Sequence, residues 1–476
     1  MTDDSAQIVV DSAQYLRNVR PIDPAEVAGY VGHELSAEDV RDILRQHARE
    51  LGLLEDRSGC FRPPDACVTQ PKPERIDRVP PPLSDHIMRL LSDRFGERWY
   101  EGATGDELRA AIREFKHRYF AADRVEYDQS TALGYTVYHL PATYASTQYV
   151  LGELAAPELL PGHLRVLDVG AGVGGQSLAL STYLGAETLI EYTAIEPSEA
   201  NAEILSSVLD LTHRNFHWDI RRESVEDASI EGPYDLIVLS NVCSELEAPT
   251  QVLPDLASAL HATGAMVAIE PADERTSREL RRIETEVVRR RDELDVYSPA
   301  LRLWSGHQPT DHCWSFVRYP DIDTPRFQRL LDGGRREQAS DRDPATGEFV
   351  NRDVQVSFSI LRLDGKRRID LTASSPYAPL AESTDAVGDR VDVCVVKLSG
   401  SLASGDGNPV YVVGDGSQHD EHFLVLAQDS SLNVAIREAN YGDILVIHEG
   451  LLLWNADEAA YNIVADDETL VDRVSP

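Results

Sequence analysis

The stretch Arg165–Leu180, RVLDVGAGVGGQSLAL, decides the fold. A mostly apolar run, Val166 to Val169, leads into Gly170, Gly172, Gly174 and Gly175, and a helical pattern follows. A strand that turns on glycines and leaves as a helix brings main-chain N–H groups close to a nucleotide.

Two templates fit that turn. Gly170, Gly172 and Gly175 satisfy the dinucleotide fingerprint, whereas Gly170, Gly172 and Gly174 satisfy the tighter spacing of S-adenosylmethionine sites. A glycine pattern alone is a weak signal, and two carboxylates break the tie. Asp168 stands two residues before the first glycine, where it can accept hydrogen bonds from an ammonium group; a pyrophosphate there would be repelled. Glu196 ends the next strand, YTAIEP, where a carboxylate can take two ribose hydroxyls as a fork. Beyond the third strand, in DIRRESVED, Glu223 or Ser224 is the expected contact for an adenine amine. Ser240 and Asn241 follow the fourth strand, beside the expected sulfonium and substrate mouth.

The chain has 476 residues and a formal charge of −36. It is long enough for several domains. Lys72, Lys116, Lys366 and Lys397 are its only lysines. A uniformly acidic, lysine-poor surface suits a cytosol of very high salt, where self-repulsion is screened; the alternative is an ordinary cytosol and a basic partner. In molar salt, arginine, main chain and aromatic contacts would carry RNA binding, so the net charge does not exclude RNA. The opening MTDDSAQIVV is not a secretory leader, and no apolar run is long enough to span a bilayer. Five scattered cysteines do not read as a disulfide framework. A cytoplasmic protein without membrane or DNA partners is expected.

Residues 1–65 read as two amphipathic helices and a polar hairpin around Arg57-Ser58-Gly59, with Ser36 as an N-cap. A winged-helix-like module and a helical protein-contact module both fit. Residues 66–85 form a proline-rich linker, and 86–160 are mostly helical. From 161 to 370 strand and helix alternate, with apolar runs at 164–169, 188–195, 234–240 and 265–269 and a weaker one at 215–221. This predicts a parallel α/β sheet with crossover helices; with the S-adenosylmethionine reading of the turn, the expected fold is a Rossmann-like class I methyltransferase core. The segments HCWSFVRY and VQVSFSILRL are expected to pair antiparallel at one edge of the sheet. Residues 388–476 alternate apolar and polar residues between glycine and aspartate turns, predicting a small closed β-barrel; its pattern resembles an OB-fold, and a generic barrel that docks on a neighbour also fits.

The pieces HLPATYASTQYVLGEL, RVLDVGAGVGG, SNVCSELEAP and AIEPADERTSRELRRIETEV, with the two segments just named, resemble the mitochondrial-type small-ribosomal-subunit methyltransferase-like assembly proteins. The resemblance covers about residues 85–370. It implies a SAM-type fold, association with small-subunit rRNA or a pre-ribosomal particle, and rRNA methylation. Family members often carry an iron–sulfur ligand set. In VYSPALRLWSGHQPTDHCWSF, Pro299 and Cys313 match it, but Ala300 and other non-thiol residues replace the remaining ligands. One thiolate cannot hold a cluster. His307, His312 and Cys313 are irregularly spaced for zinc and lack a fourth ligand. No iron–sulfur cluster and no metal are expected.

Methylation of an exocyclic base amine commonly uses a Pro-Pro-aromatic run after the fourth strand, which SNVCSEL lacks. Cys243 beside Glu245 has the residue types of carbon methylation without its usual context. Ser240, Asn241 and Cys243 are therefore weak catalytic candidates, and Ser244 or Glu245 reads equally as a helix cap. A SAM-dependent rRNA methyltransferase and a SAM-binding assembly factor that transfers nothing both remain, with a small-molecule methyltransferase as a third reading. Candidate RNA contacts are Arg278, Arg282 and Arg289, on a helix shared with Arg281, Arg290 and Arg291, and the cluster Lys366, Arg367 and Arg368. Interleaved Glu279, Glu284 and Glu286 also fit a salt-bridged solvated helix. Trp454 and Tyr461 are placed either to stack on bases or to fill the barrel.

Overall fold

Near the N-terminus, short-range chemistry sets the elements. Ser36 Oγ accepts from Asp39 N at 3.2 Å while Asp39 accepts from Ser36 N at 2.8 Å, a reciprocal capping box. In the computed structural model, which describes residues 3–31, 35–121, 125–307, 314–334, 347–403 and 407–475, this box starts the third of four helices. They are α1 (Asp3–Leu16), α2 (Pro24–Val31), α3 (Ala37–Gln46) and α4 (Ala48–Leu51). Gly52 stops α4 in a left-handed conformation, φ 59°. The hairpin β1 (Leu54–Glu55) and β2 (Phe61–Arg62) follows, its turn closed by Asp56 accepting from Ser58 N and Cys60 N. Ile22 bridges Phe61, and both join a core with Val9, Val40, Ile43 and Leu44.

The proline-rich stretch was expected to be a linker. It is a strap: its free main-chain groups find neighbours, as its extended backbone requires. Val68 N donates to Leu160 O and Ile76 N to the Tyr149 hydroxyl, each at 2.8 Å. Four helices follow: α5 (Pro81–Phe95), α6 (Gly102–Ala121), α7 (Gln129–Tyr138) and α8 (Leu140–Ala155).

Strand and helix then alternate: β3 (His163–Val169), α9 (Gly175–Leu184), β4 (Leu189–Ile195), α10 (Glu199–Leu209), β5 (Phe216–Arg221), β6 (Tyr234–Ser240), α11 (Pro249–Ala257), β7 (Leu260–Pro271) and α12 (Glu274–Arg290). Next come β8 (Asp295–Ser298), β9 (Val317–Tyr319), α13 (Arg326–Gly333) and β10 (Val354–Arg362). The sheet order is β5-β4-β3-β6-β7-β10-β8, with β9 paired to β10 off that path. Strand order reverses beside β3, and such sheets bind ligands outside the carboxyl ends of their strands there. An antiparallel strand inserted next to the last parallel one distinguishes the methyltransferase version of this fold, and β10 occupies that place.

β9 and β10 do pair antiparallel, but β10 is not an edge strand; it lies between β7 and β8. From Val356 to Arg362 every residue is buried, so both faces are covered, although one of them carries Ser357 and Ser359. The edge is β8, a four-residue strand that the sequence reading missed.

After a 3-10 turn at Leu380–Ala386 come β11 (Arg390–Lys397), β12 (Val410–Gly414), β13 (His422–Leu426), α14 (Ala435–Glu438), β14 (Ile444–Asn455), β15 (Ala460–Ala465) and β16 (Leu470–Val474). The ring β11-β12-β13-β15-β14 closes through β14 pairing back to β11. Only the β13–β15 pair within it is parallel. The closed five-stranded barrel encloses Val393, Val395, Leu424, Leu445, Ile447 and Ile463.

Two compact units result. One holds residues 1–229, 233–237 and 321–352; the other holds 230–232, 238–320 and 353–476. In the first, Asn215 is a stitch. Its Oδ1 accepts from Glu55 N at 2.9 Å, and its amide donates to Glu55 O at 3.0 Å and Ala186 O at 2.6 Å. The β1 hairpin is thereby tied to the start of edge strand β5. No described helix is long and apolar enough to cross a membrane.

Candidate functional site

In the first unit the glycine turn connects β3 to α9. Gly170, Gly172 and Gly174 all have positive φ, at 66°, 55° and 90°. Gly172 and Gly174 serve different ends. A Cβ on Gly174 would lie 3.0 Å from Leu205 Cδ1 and 3.1 Å from Val208 Cγ1, so this glycine lets α10 pack close. A Cβ on Gly172 would meet nothing nearer than Gly170 O at 3.9 Å; its outer side is open. Both Gly172→Ala and Gly174→Ala should pay about 1–2 kcal/mol for the left-handed backbone. Only Gly174→Ala adds an overpacking cost of about 1–3 kcal/mol. Denaturant unfolding should therefore rank Gly174→Ala as the less stable, and equal losses would contradict this division of roles.

Glu196, at the end of β4, holds the turn. Its Oε2 accepts from Gly172 N and its Oε1 from Ser198 N, both at 2.8 Å. Burial raises its pKa, and these main-chain donors oppose the rise. Asp168 is fully buried. Its Oδ2 accepts from the Tyr192 hydroxyl at 2.5 Å, and its Oδ1 has no hydrogen-bond partner among the described residues. Burial pushes this carboxyl up to about 7. The sequence reading missed Tyr192, which looks like one more core aromatic of LIEYTAI.

The adenine candidates are locally engaged. Glu223 accepts from Arg221 Nε at 2.6 Å, and Ser224 Oγ donates to Glu226 at 2.5 Å.

In the second unit, the turn after β6 is built on Glu270, at the end of β7. Its Oε1 accepts from Cys243 N at 2.8 Å and its Oε2 from Ser244 Oγ at 3.2 Å. Asn241 enters the turn at φ 56°, its N–H donating to Ile269 O. Ser240 Oγ is buried and has no partner among the described residues. Cys243 is not a poised nucleophile: burial and the neighbouring Glu270 carboxyl push its thiol well above the usual range. The signal for Glu270 was present, since Ala-Ile-Glu-Pro occurs at both 194–197 and 268–271. Each glutamate ends a strand and accepts a main-chain N–H from the turn after another strand.

Burial pushes Glu270 up to about 7. Its proton is held by the folded state and released by the unfolded chain above the ordinary carboxylate range. That contribution to stability is complete at low pH and disappears as pH rises through about 7. Glu270→Gln lacks the titration. Its stability relative to wild type should grow between pH 5 and pH 8 by roughly 3 kcal/mol at most, at ~1.4 kcal/mol per pH unit. Thermal melts at the two pH values check this; a constant difference would refute it.

The basic candidates are mostly paired. Arg278 bonds Glu274 and Glu421, Arg282 bonds Glu279, and Arg289 bonds Glu286. Arg368 is buried against Asp443 at 3.0 Å, so it lies inside the unit and not on its surface. Arg367 is 3.8 Å from Asp295 and exposed Lys366 is 3.9 Å from Asp364. In the barrel, Tyr461 is buried, stacks on His422 and meets Trp454 edge-on; Trp454 itself is exposed. Cys313 and His312 lie outside the described residues.

Residues 129–299 match the family model described as mitochondrial small ribosomal subunit Rsm22. Residues 6–57 and 381–474 match the N-terminal and C-terminal domains of a domain of unknown function, DUF8157. No curated protein matches the chain. Among solved structures, a putative methyltransferase from Thermoplasma acidophilum is 14% identical over 43% of this chain and 70% of its own, with a TM-score of 0.25. The plantazolicin methyltransferase BpumL in complex with SAH is 12% identical over 59% of this chain and 98% of its own, with a TM-score of 0.30. The chain thus has the strand order of a methyltransferase fold, and its residues 129–299 match the family model described as mitochondrial small ribosomal subunit Rsm22.

Proposed function

We propose that the chain binds S-adenosyl-L-methionine in the cradle of Asp168, Gly172 and Glu196 and acts on small-ribosomal-subunit RNA as a methyltransferase. The cradle is the observation that carries this reading. Its residues fit the cofactor: the unpartnered Oδ1 of Asp168 suits an ammonium group. The open side of Gly172 admits close approach, and Glu196, which accepts from Gly172 N, Ser198 N and the Asn201 amide, keeps acceptor capacity on Oε2 for a ribose hydroxyl. When bound, the cofactor supplies an electrophilic methyl group. The chain's own residues bind and orient it, and transfer then depends chiefly on in-line placement.

The family match at 129–299 supports the ribosomal part of the proposal. The flanking pieces support RNA contact. The order α1, Ile22 bridge, α2, α3, hairpin fits a winged helix. The closed ring with a parallel β13–β15 pair and α14 before β14 fits an OB-fold. A high-salt cytoplasm is the setting proposed from the charge.

A second reading, a SAM-binding assembly factor without transfer, is favoured by one observation: Cys243, Ser244 and Glu270 are occupied in building the turn after β6. Labelled SAM incubated with the full chain and immature small-subunit RNA separates the two. Label in the RNA supports transfer. Binding of both partners without label supports the second reading, and no binding of the cofactor at low or molar KCl overturns both.

A further inference from the structure

Tyr192 and Asp168 share one face of the sheet. β3 and β4 run parallel in the register Val166↔Tyr192 and Asp168↔Ala194, so the two side chains are diagonal neighbours. Both are buried, at 2% and 0% exposure. The phenol donates to Oδ2 at 2.5 Å, leaving Oδ1 without a partner among the described residues. A buried acceptor left open is costly and points to a donor that arrives from outside the chain.

We propose that Tyr192 is the positioning residue of the cradle: it ties down one carboxylate oxygen of Asp168 and holds the other as a fixed acceptor for the ammonium group of a methionyl ligand. This rests on the cofactor reading above.

A proton linkage follows. The titratable groups that bear on the pair among the described residues are Asp168, Tyr192 and Glu196, all acidic, with the Ser177 hydroxyl of α9 beside Tyr192. Burial, with a smaller push from Glu196, holds Asp168 at about 7, and the Tyr192 bond opposes that rise. Below that pH the free protein carries a proton on Asp168, and binding the cation expels it. Affinity should then rise with pH, by up to about tenfold per unit below 7. Tyr192→Phe removes the bond that favours the carboxylate and so moves the rise to higher pH. The ring contact with Phe216, at 5.2 Å, is retained.

The test is calorimetric titration of the full chain with S-adenosylhomocysteine between pH 5.5 and 8, in buffers of different ionisation heat, for wild type and Tyr192→Phe. The ligand's own α-amino group titrates identically for both proteins and cancels in the comparison. Expected are proton release by wild type at pH 6, a loss of about tenfold for Tyr192→Phe at pH 6, and a gap that narrows as pH rises. A uniform loss at every pH, or none, overturns the positioning role while leaving the cofactor reading intact. Absence of proton release by a wild type that binds also overturns it. No binding by wild type overturns the cofactor reading itself.

Discussion

Asp168→Asn should bind S-adenosylhomocysteine at least about 100-fold more weakly than wild type. The substitution keeps the shape and keeps an oxygen for the Tyr192 hydroxyl. It exchanges the open acceptor Oδ1 for an amide that donates, and it removes the charge. Hydrogen bonds to charged groups contribute about 1.5–3 kcal/mol, and meeting a cation with a donor adds repulsion. Folding should survive, because a buried carboxyl that is hard to ionise has been replaced by a neutral group. Equal affinity in the variant would remove Asp168 from the cradle; lost binding together with a lower melting temperature would reduce it to a packing residue.

The second large effect concerns basic residues chosen for RNA. Arg281→Ala should destabilise the protein by roughly 3–5 kcal/mol, the cost of removing one partner of a buried pair, and Arg368→Ala by less, because Asp443 keeps a second cation. Asp443, the partner of Arg368, is fully buried, with Arg473 as its remaining cation. Glu284, the partner of Arg281 at 2.6 Å, is nearly as buried, and Arg281 also donates to Phe358 O. Arg282→Ala and Arg289→Ala, on exposed faces, should stay within about 0.5 kcal/mol of wild type. Denaturant unfolding alongside RNA binding distinguishes the roles. An Arg368→Ala protein of normal stability that loses RNA would restore that residue to the surface role.

The apolar runs of β3, β4, β6 and β7 were legible because each is long and bounded by glycine or polar turns. β8 was not, since DVYS is too short for periodicity to register. The place of β10 was hidden for another reason: chain order does not reveal that a late strand inserts between two earlier ones. In the site, Asp168, the glycines and Glu196 could be read because their spacing is local. Tyr192 could not, because its meaning depends on register with a strand whose carboxylate lies 24 residues away. Glu270 was readable from the repeated Ala-Ile-Glu-Pro and passed over. The salt-bridged alternative for α12 was visible in the three-residue spacing of Glu279 with Arg282 and Glu286 with Arg289.

Asn215 limits how the N-terminal helices can work. Its side chain is 2% exposed, so water cannot replace the three main-chain partners it holds. Swinging the helices away would break the two bonds to Glu55, leave the amide with Ala186 O alone, and uncover the start of edge strand β5. The module therefore behaves as a fixed buttress rather than an arm on a hinge. Whatever it recognises must be brought to it, and cutting it off should yield a sticky remnant instead of a smaller working protein.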